Sequence, residues 1–346
     1  MNEIKVKIVA DSVSVDTGKR ITSIECTYPR IIHAEVMTHR MFSRNAASSR
    51  AIPNAKLIQS IIDNPFVPMA WQKKHKGMQG NEYFVDELVK DIPNNSLNYE
   101  TDTTVIQQLN LEWLRAKDLA IEQAQKITAL GATKQLANRI LEPYQYYKVL
   151  ITATEWENFF ALRCPKYVMW NSYGKHVFNS KKDFLWNVGL PDEASNYNNY
   201  TTVDWLKLNE GTSEIHIMAL AEKIWDALKA SIPRKLNAGE WHVPYQEQIE
   251  DSKVAEIAYP LKQSPFTYDE EFELTRLKIA TAQCARISYT TINEQGVINY
   301  DKDVELHDSL LKSGHFSPFE HCAKSTIADF TCGNFTGWLQ YRKLIE

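Results

Sequence analysis

Apolar and polar residues alternate over residues 4–9 and 20–27, with Asp16-Thr17-Gly18 between them, which predicts two strands joined by a turn. After Pro29 the period changes. From there to about Met41, Ile32 lies one turn before Val36 and Glu35 one turn before His39, so an apolar and a polar stripe separate as on a helix. The longest periodic run lies between 104 and 130. There Ile106, Leu109, Trp113, Ala116, Ala120, Ala124 and Ile127 keep helical spacing, and Gly131 supplies a stop. Shorter helices are predicted over 133–141, ending before Pro143, and over 214–230, which places Ile217, Leu220, Ala221, Ile224 and Leu228 on a buried face before Pro233. A last helix is expected from about Asp303 to Ser313, closed by Gly314.

Two segments break this pattern. Residues 165–211 are rich in Asn, Tyr, Trp and Lys without a sustained period, and they read as a long surface excursion with some local order. Residues 246–268, charged and holding Pro260 and Pro265, read as a connector. The chain thus divides into a main part over 1–245, the connector, and a final segment over 269–346. No repeat of 20–50 residues is evident.

The 346 residues, 44% of them hydrophobic, can bury one large core or two smaller ones. Thirty-nine Lys plus Arg against 43 Asp plus Glu give a formal charge of −4, so no general basic field is available for a nucleic-acid backbone and any anion site must be local. Cys26, Cys164, Cys284, Cys322 and Cys332 are odd in number, lack C-x-x-C spacing and stand mostly in apolar contexts, as expected of reduced cytosolic thiols. MNEIKVKIVADSV alternates where a leader would be apolar, and no apolar run approaches the ~18 residues of a membrane span. Neither secretion nor membrane insertion is expected.

Two short stretches carry candidate chemistry. THRMFSRNAASSR, Thr38 to Arg50, holds three arginines, four hydroxyls and an asparagine with no acidic neighbour. It is either a solvated loop or a cradle in which a bound phosphate turns repulsion among Arg40, Arg44 and Arg50 into charge-assisted hydrogen bonds, with Ser43, Asn45, Ser48 and Ser49 completing it. HFSPFEH, His315 to His321, follows Gly314. Ser317 as N-cap, Pro318 at N1 and Glu320 at N3 fit a capping box, which is either a well-capped turn or a place where N–H groups and a histidine meet a phosphate or an electron-rich ring. His315, Glu320 and His321 lack the spacing of metal ligands, and no metal is expected.

Together the two stretches resemble the flavin-dependent thymidylate synthases. His39, Arg40, Ser43, Asn45, Ser48 and Arg50 fall in register with that family's Arg-His-Arg motif and its following residues, and His315, Ser317, Pro318, Phe319, Glu320 and His321 with its His-x-Ser/Thr-Pro-Phe-Glu-His motif. NRILEPY around Arg139, ATEWENFFALR ending at Arg163, SEIHIMALAEKIW from Ser213 and CARISY from Cys284 look like further family segments. In the family the counterparts of CARISY and HFSPFEH precede the arginine motif, whereas here they follow it, so the resemblance implies a circularly permuted and enlarged member. It departs from the motif at Thr38, where the family has Arg, at Ala46, where it has Glu, at Glu35, where Gln is common, and at Ala51, where an aromatic residue is usual.

The resemblance implies an α+β fold, a mixed or antiparallel sheet packed against long helices, with 269–346 completing the same domain as 1–245. It implies methylation of dUMP to dTMP with FAD as cofactor and methylenetetrahydrofolate and NADPH as co-substrates, in a cytoplasmic homotetramer. Ser48, Arg50 and Arg139 would hold the substrate's phosphate and base, Arg163 would face the uracil carbonyl as the catalytic residue, and Glu35 would stand between flavin and substrate. His39, Arg40, Ser43, Asn45, Asn158, Ser288, His315 and Ser317 would hold FAD. Ala46 keeps open a hydroxymethylating variant or one acting on another pyrimidine nucleotide. Thr38 and Ala46 keep open a nucleotide- or RNA-binding relative without catalysis. A cysteine-dependent synthase would rest on Cys164-Pro165 alone.

Overall fold

In the computed structural model the described residues are 3–77, 80–91, 102–188, 197, 199–259, 268–291 and 297–346. Strands β1 (Lys5–Ser14) and β2 (Arg20–Pro29) pair antiparallel, from Lys5 opposite Thr27 to Val13 opposite Arg20. They extend beyond the spans expected from alternation, because β2 is covered on both faces and needs no polar side. The register shifts between Ile8 and Ala10, and the Val9 carbonyl accepts the Tyr245 N–H at 3.1 Å. β3 (Ser43–Ala46) and β4 (Tyr146–Ala153) continue the sheet on one side. A hairpin, β5 (Tyr167–Asn171) and β6 (Gly174–Phe178), stands apart from it, and β7 (Arg234–Leu236) joins β1 in parallel. The order β3-β4-β2-β1-β7 makes a mixed five-stranded sheet in an α+β protein.

One face of this sheet carries Ile24, Cys26 and Tyr28 of β2 with Val149, Ile151 and Ala153 of β4. Against them pack the helices Asn54–Asp63, Val105–Ala129, Glu157–Arg163 and Ile215–Ala230, through residues such as Leu57, Ala124, Phe159 and Ile217. Val105–Ala129 begins where the pattern predicts. Thr104 accepts the Gln107 N–H, the Gln107 side chain returns the bond to the Thr104 N–H, and Gly131 follows with φ +88°.

The other face is covered by residues from late in the chain. Leu150 meets Tyr245, Cys284 and Ile287, and Ile21 meets Leu236, Ala323, Phe335 and Trp338. A second sheet sits here, in the order β12 (Trp338–Gln340), β9 (Ala323–Ser325), β8 (Trp241–His242). β10 (Thr331–Cys332) and β11 (Phe335–Thr336) form a hairpin beside it. The helices Tyr268–Arg286 and Tyr300–Ser313 pack on each other behind, and Gly314 ends the second with φ +73°.

Two expected helices are corrected. The helix expected from Pro29 to Met41 is a 3-10 turn, Arg30–Ile32, followed by His33–Met37 only, because the chain leaves to form β3. The helix expected to end before Pro143 is four residues long, Lys134–Ala137, and runs into a 3-10 segment, Asn138–Tyr144, that contains Pro143. The connector carries a helix of its own, Asp251–Ala258, packed on Tyr268–Arg286, while Pro260 and Pro265 lie outside the described residues. Among its described residues the excursion over 165–211 holds the hairpin and the helices Lys181–Val188 and Thr202–Lys207, around a cluster of Tyr167, Phe184 and Trp205. No helix among the described residues is long and apolar enough to cross a membrane.

Candidate active site

The stretch Thr38–Arg50 is neither plain loop nor open cradle. His33–Met37 leaves its last carbonyls without helical partners, and Arg44 reaches back with Nη1 to Met37 O at 2.8 Å, His39 O at 3.2 Å and Val36 O at 3.4 Å. Thr38, which stands where the family has Arg, donates its hydroxyl to Glu35 O at 2.6 Å. The chain then extends as β3, opposite Thr152 to Val149 of β4. Buried Asn45 donates to Cys284 O at 3.1 Å, and buried Ser43 lies 3.1–3.2 Å from the Asn334 amide and 3.4 Å from Gln340 Nε2. These two predicted cofactor residues are therefore held by the fold itself.

β3 is where the two stretches meet. The turns Ser317–Glu320 and Ile287–Tyr289 both pack on it, and Ser48 N–H donates to Ser288 O at 3.0 Å. Arg40, Phe42 and Arg44 from the first stretch and Glu320 from the second line a cleft of about 320 Å³, closed by Gly333, Asn334, Gln340, Arg342 and Lys343. Four cations thus face one cleft, with Arg342 paired to Glu320 and Glu346, Lys343 paired to Glu346, and Arg44 bound to backbone carbonyls. Arg342 is fixed there by Nη1 to Glu320 Oε1 at 2.5 Å and by Glu346. Gly333 has φ +62°, and a Cβ on it would stand 2.7 Å from Gln340 Oε1, so the chain needs glycine to bring Gln340 to the cleft wall. The capping box expected at Ser317 is absent. The turn is a 3-10 segment without a side-chain cap, because Glu320 is spent on Arg342.

Arg163, at the end of the helix that follows β4, donates Nε–H to His39 Nε2 at 3.1 Å and lies 3.5 Å through Nη2 from Thr38 Oγ1. The predicted catalytic arginine and a predicted flavin residue are thus in contact, one position from Arg40. His39 is buried edge-on to Phe159 and tilted against Phe42. Burial first, then the charges of Arg163 and Arg44, push it down to about 4. A neutral ring with its proton on Nδ1 is what lets Nε2 accept from Arg163.

Ser49 and Arg139 meet on a residue the sequence did not single out. Glu142 Oε1 accepts from Arg139 Nη1 at 2.7 Å and from Ser49 Oγ at 2.9 Å, and Oε2 lies 3.6 Å from Arg30 Nη2. The i,i+3 spacing of Arg139 and Glu142 within NRILEPY is the signal that would have found it. The remaining predicted residues make no such group. His315 is exposed with Nδ1 2.9 Å from Ser313 Oγ, and Ser317, Asn158 and Arg50 are exposed. Half-buried Glu35 has Oε2 buried without a hydrogen-bond partner among the described residues. Cys164 is buried, and burial followed by Glu222, Asp226 and Asp183 pushes its thiol up to about 12, which leaves no thiolate for attack near neutral pH.

Behind β3 runs a buried chain of hydroxyls and imidazoles. Ser12 Oγ meets His242 Nδ1 at 2.9 Å, and His242 Nε2 meets Ser23 Oγ at 2.9 Å. Ser23 Oγ meets Thr152 Oγ1 at 2.6 Å, and Thr152 Oγ1 meets His321 Nδ1 at 2.8 Å. Burial pushes both histidines down to about 3. With His39 and His33, also at about 4, these rings stay neutral in the folded chain where the unfolded chain would protonate them. Folded values below unfolded ones mean stability present above pH 6.5 and lost as pH falls, by up to about 1.4 kcal/mol per pH unit per ring. The urea midpoint is accordingly expected to fall as pH is lowered from 6.5 towards 4, and a midpoint flat over that window would contradict these shifts.

No family model matches the sequence, and no curated protein does. Among solved structures, the chain is similar to the UMP/dUMP methylase PolB from Streptomyces cacaoi. With 5-Br UMP bound the TM-score is 0.40 at 16% identity, over 66% of this chain and 89% of that one. With 5-Br dUMP bound it is 0.40 at 14%, over 66% and 90%. None of the roles argued below rests on this likeness.

Proposed function

We propose that the chain is a flavin-dependent enzyme that methylates dUMP at C5 to give dTMP, with methylenetetrahydrofolate as carbon donor and NADPH as reductant. The observation that carries this reading is the cleft at β3, where Arg40 of one motif and Glu320 of the other stand together with Arg342 and Lys343. Four cations with the amides of Asn334 and Gln340 suit the diphosphate of FAD, and Arg40, Asn334, Arg342 and Lys343 are the residues assigned to hold it. A bound flavin would supply one-carbon carriage and hydride.

The chain's own groups then bind and orient. Arg163 is held at Nε by neutral His39, so its Nη groups are the donors for a uracil carbonyl on which negative charge develops. Glu35 offers a buried carboxylate oxygen in the same neighbourhood, on the helix that leads into Thr38. Ser48, Arg50 and Arg139 take the nucleotide phosphate. We assign 1–245 and 269–346 to one permuted catalytic unit, supported by the packing of Cys284, Ile287, Phe335 and Trp338 on the sheet that 1–245 supplies. Assembly as a homotetramer belongs to the same reading.

Purified protein titrated with FAD and followed by visible absorption tests the cofactor, and tritium release from 5-tritiated dUMP, dependent on folate and reductant, tests the reaction. A perturbed flavin spectrum with tritium release is expected, and product mass separates methyl from hydroxymethyl transfer. dUMP binding with no flavin uptake and no tritium release would overturn the reading in favour of a nucleotide-binding protein.

A further inference from the structure

Three donors surround Glu142, and its carboxylate takes two of them as hydrogen bonds. Arg139 Nη1 and Ser49 Oγ both donate to Oε1, and Arg30 stands 3.6 Å from Oε2. Arg30 is fixed by stacking 4.7 Å over the Tyr147 ring, yet its Nε is buried with no hydrogen-bond partner among the described residues. A buried guanidinium N–H without an acceptor is costly, and an anion with three or more acceptor oxygens would relieve it. The platform is rigid. Asn138, fully buried, donates to Ser49 O at 2.6 Å and to Ile52 O at 3.0 Å, and so holds the loop after β3 against the segment that carries Arg139. Lys134 donates to Ala51 O at 2.7 Å and adds a positive charge to the same loop. Glu142 itself is one-fifth exposed and has water on one side, so its side chain can leave the arginines without breaking the core.

We propose that Glu142 is a built-in carboxylate competitor for the substrate's phosphate, and that Arg30 is a further phosphate ligand, which closes with Arg139 and Ser49 on the group that displaces Glu142. This rests on the reading of the site as one for a pyrimidine nucleotide. A dianionic phosphate offers more charge and more acceptor oxygens than a carboxylate, so it takes the two guanidinium groups and the hydroxyl, and Glu142 turns to solvent. The competition makes the site selective against singly charged anions: a carboxylate or chloride gains nothing over Glu142, whereas a phosphate monoester does.

Inorganic phosphate is the probe, titrated calorimetrically into the full-length protein at pH 7.5. Glu142→Gln is expected to bind phosphate at least about tenfold more tightly than wild type, since a neutral amide no longer competes for the arginines. Glu142→Gln combined with Arg30→Met should return to the wild-type affinity or weaker. Phosphate binding unchanged by Glu142→Gln, or tightened equally in the double variant, would overturn the proposal. Should Arg30→Met fail to fold, the single Glu142→Gln comparison decides alone. The pyrimidine reading fails differently: Glu142→Gln would then tighten phosphate, yet dUMP would bind no better than phosphate itself.

Discussion

Arg163→Lys is expected to leave the protein folded and to lower tritium release from 5-tritiated dUMP by about 10²–10³-fold. The argument is geometric. The Arg163 side chain touches both His39 and Thr38, at 3.1 Å and 3.5 Å, and its guanidinium can donate Nε–H to the histidine while aiming other N–H groups elsewhere. A lysine has three donors but all on one nitrogen, so it cannot hold the histidine and still present a planar pair of N–H groups at the substrate carbonyl. dUMP affinity should fall much less than turnover, because the arginine acts where charge develops, while phosphate contacts carry ground-state binding. A lysine variant with turnover within about threefold of wild type would remove Arg163 from the reaction.

Asp303→Ala should have the largest effect on stability, a loss of about 3–5 kcal/mol. Asp303 is fully buried and accepts Arg286 Nε at 2.6 Å, Gln283 Nε2 at 2.5 Å and the Asn299 N–H at 3.2 Å, with Arg286 Nη2 also paired to it. Removal leaves a half-buried guanidinium and an amide facing a methyl group. The damage reaches the site, since the helix that carries Arg286 also presents the Cys284 carbonyl to Asn45 behind β3. Urea denaturation with an unchanged slope would measure it, and a loss below about 1 kcal/mol would show that solvent satisfies Arg286 instead.

How much of this was readable in the residues depends on the range of the forces involved. Val105–Ala129 and Ile215–Ala230 were legible almost to the residue, because helical spacing with Gly131 and Pro233 as stops is a local signal. β3 was not legible. SRNA has little strand propensity and is extended only because Thr152 to Val149 lie alongside and two distant turns press on it. The same holds for the site. The density of arginines in Thr38–Arg50 announced an anion, but Arg44 proved to cap a helix and Asn45 to tie a distant carbonyl, tasks that appear only after folding. Arg342 and Lys343 come into the cleft from the far end of the sequence, where no local pattern gives them a role. Glu142 and Arg30 were overlooked because their meaning is mutual: each is an ordinary charged residue until the other, 3.6 Å away, gives it context.

The division of the sheet's two faces has a consequence for biosynthesis. Among the described residues, the apolar cluster that covers the first face is made by residue 230, whereas Tyr245, Cys284, Ile287, Phe335 and Trp338, which cover the second, are made afterwards. A ribosome-bound intermediate would therefore carry a formed helical half with Ile21 and Leu150 bare to solvent until the remaining hundred or so residues are translated, and those bare side chains are where it would aggregate.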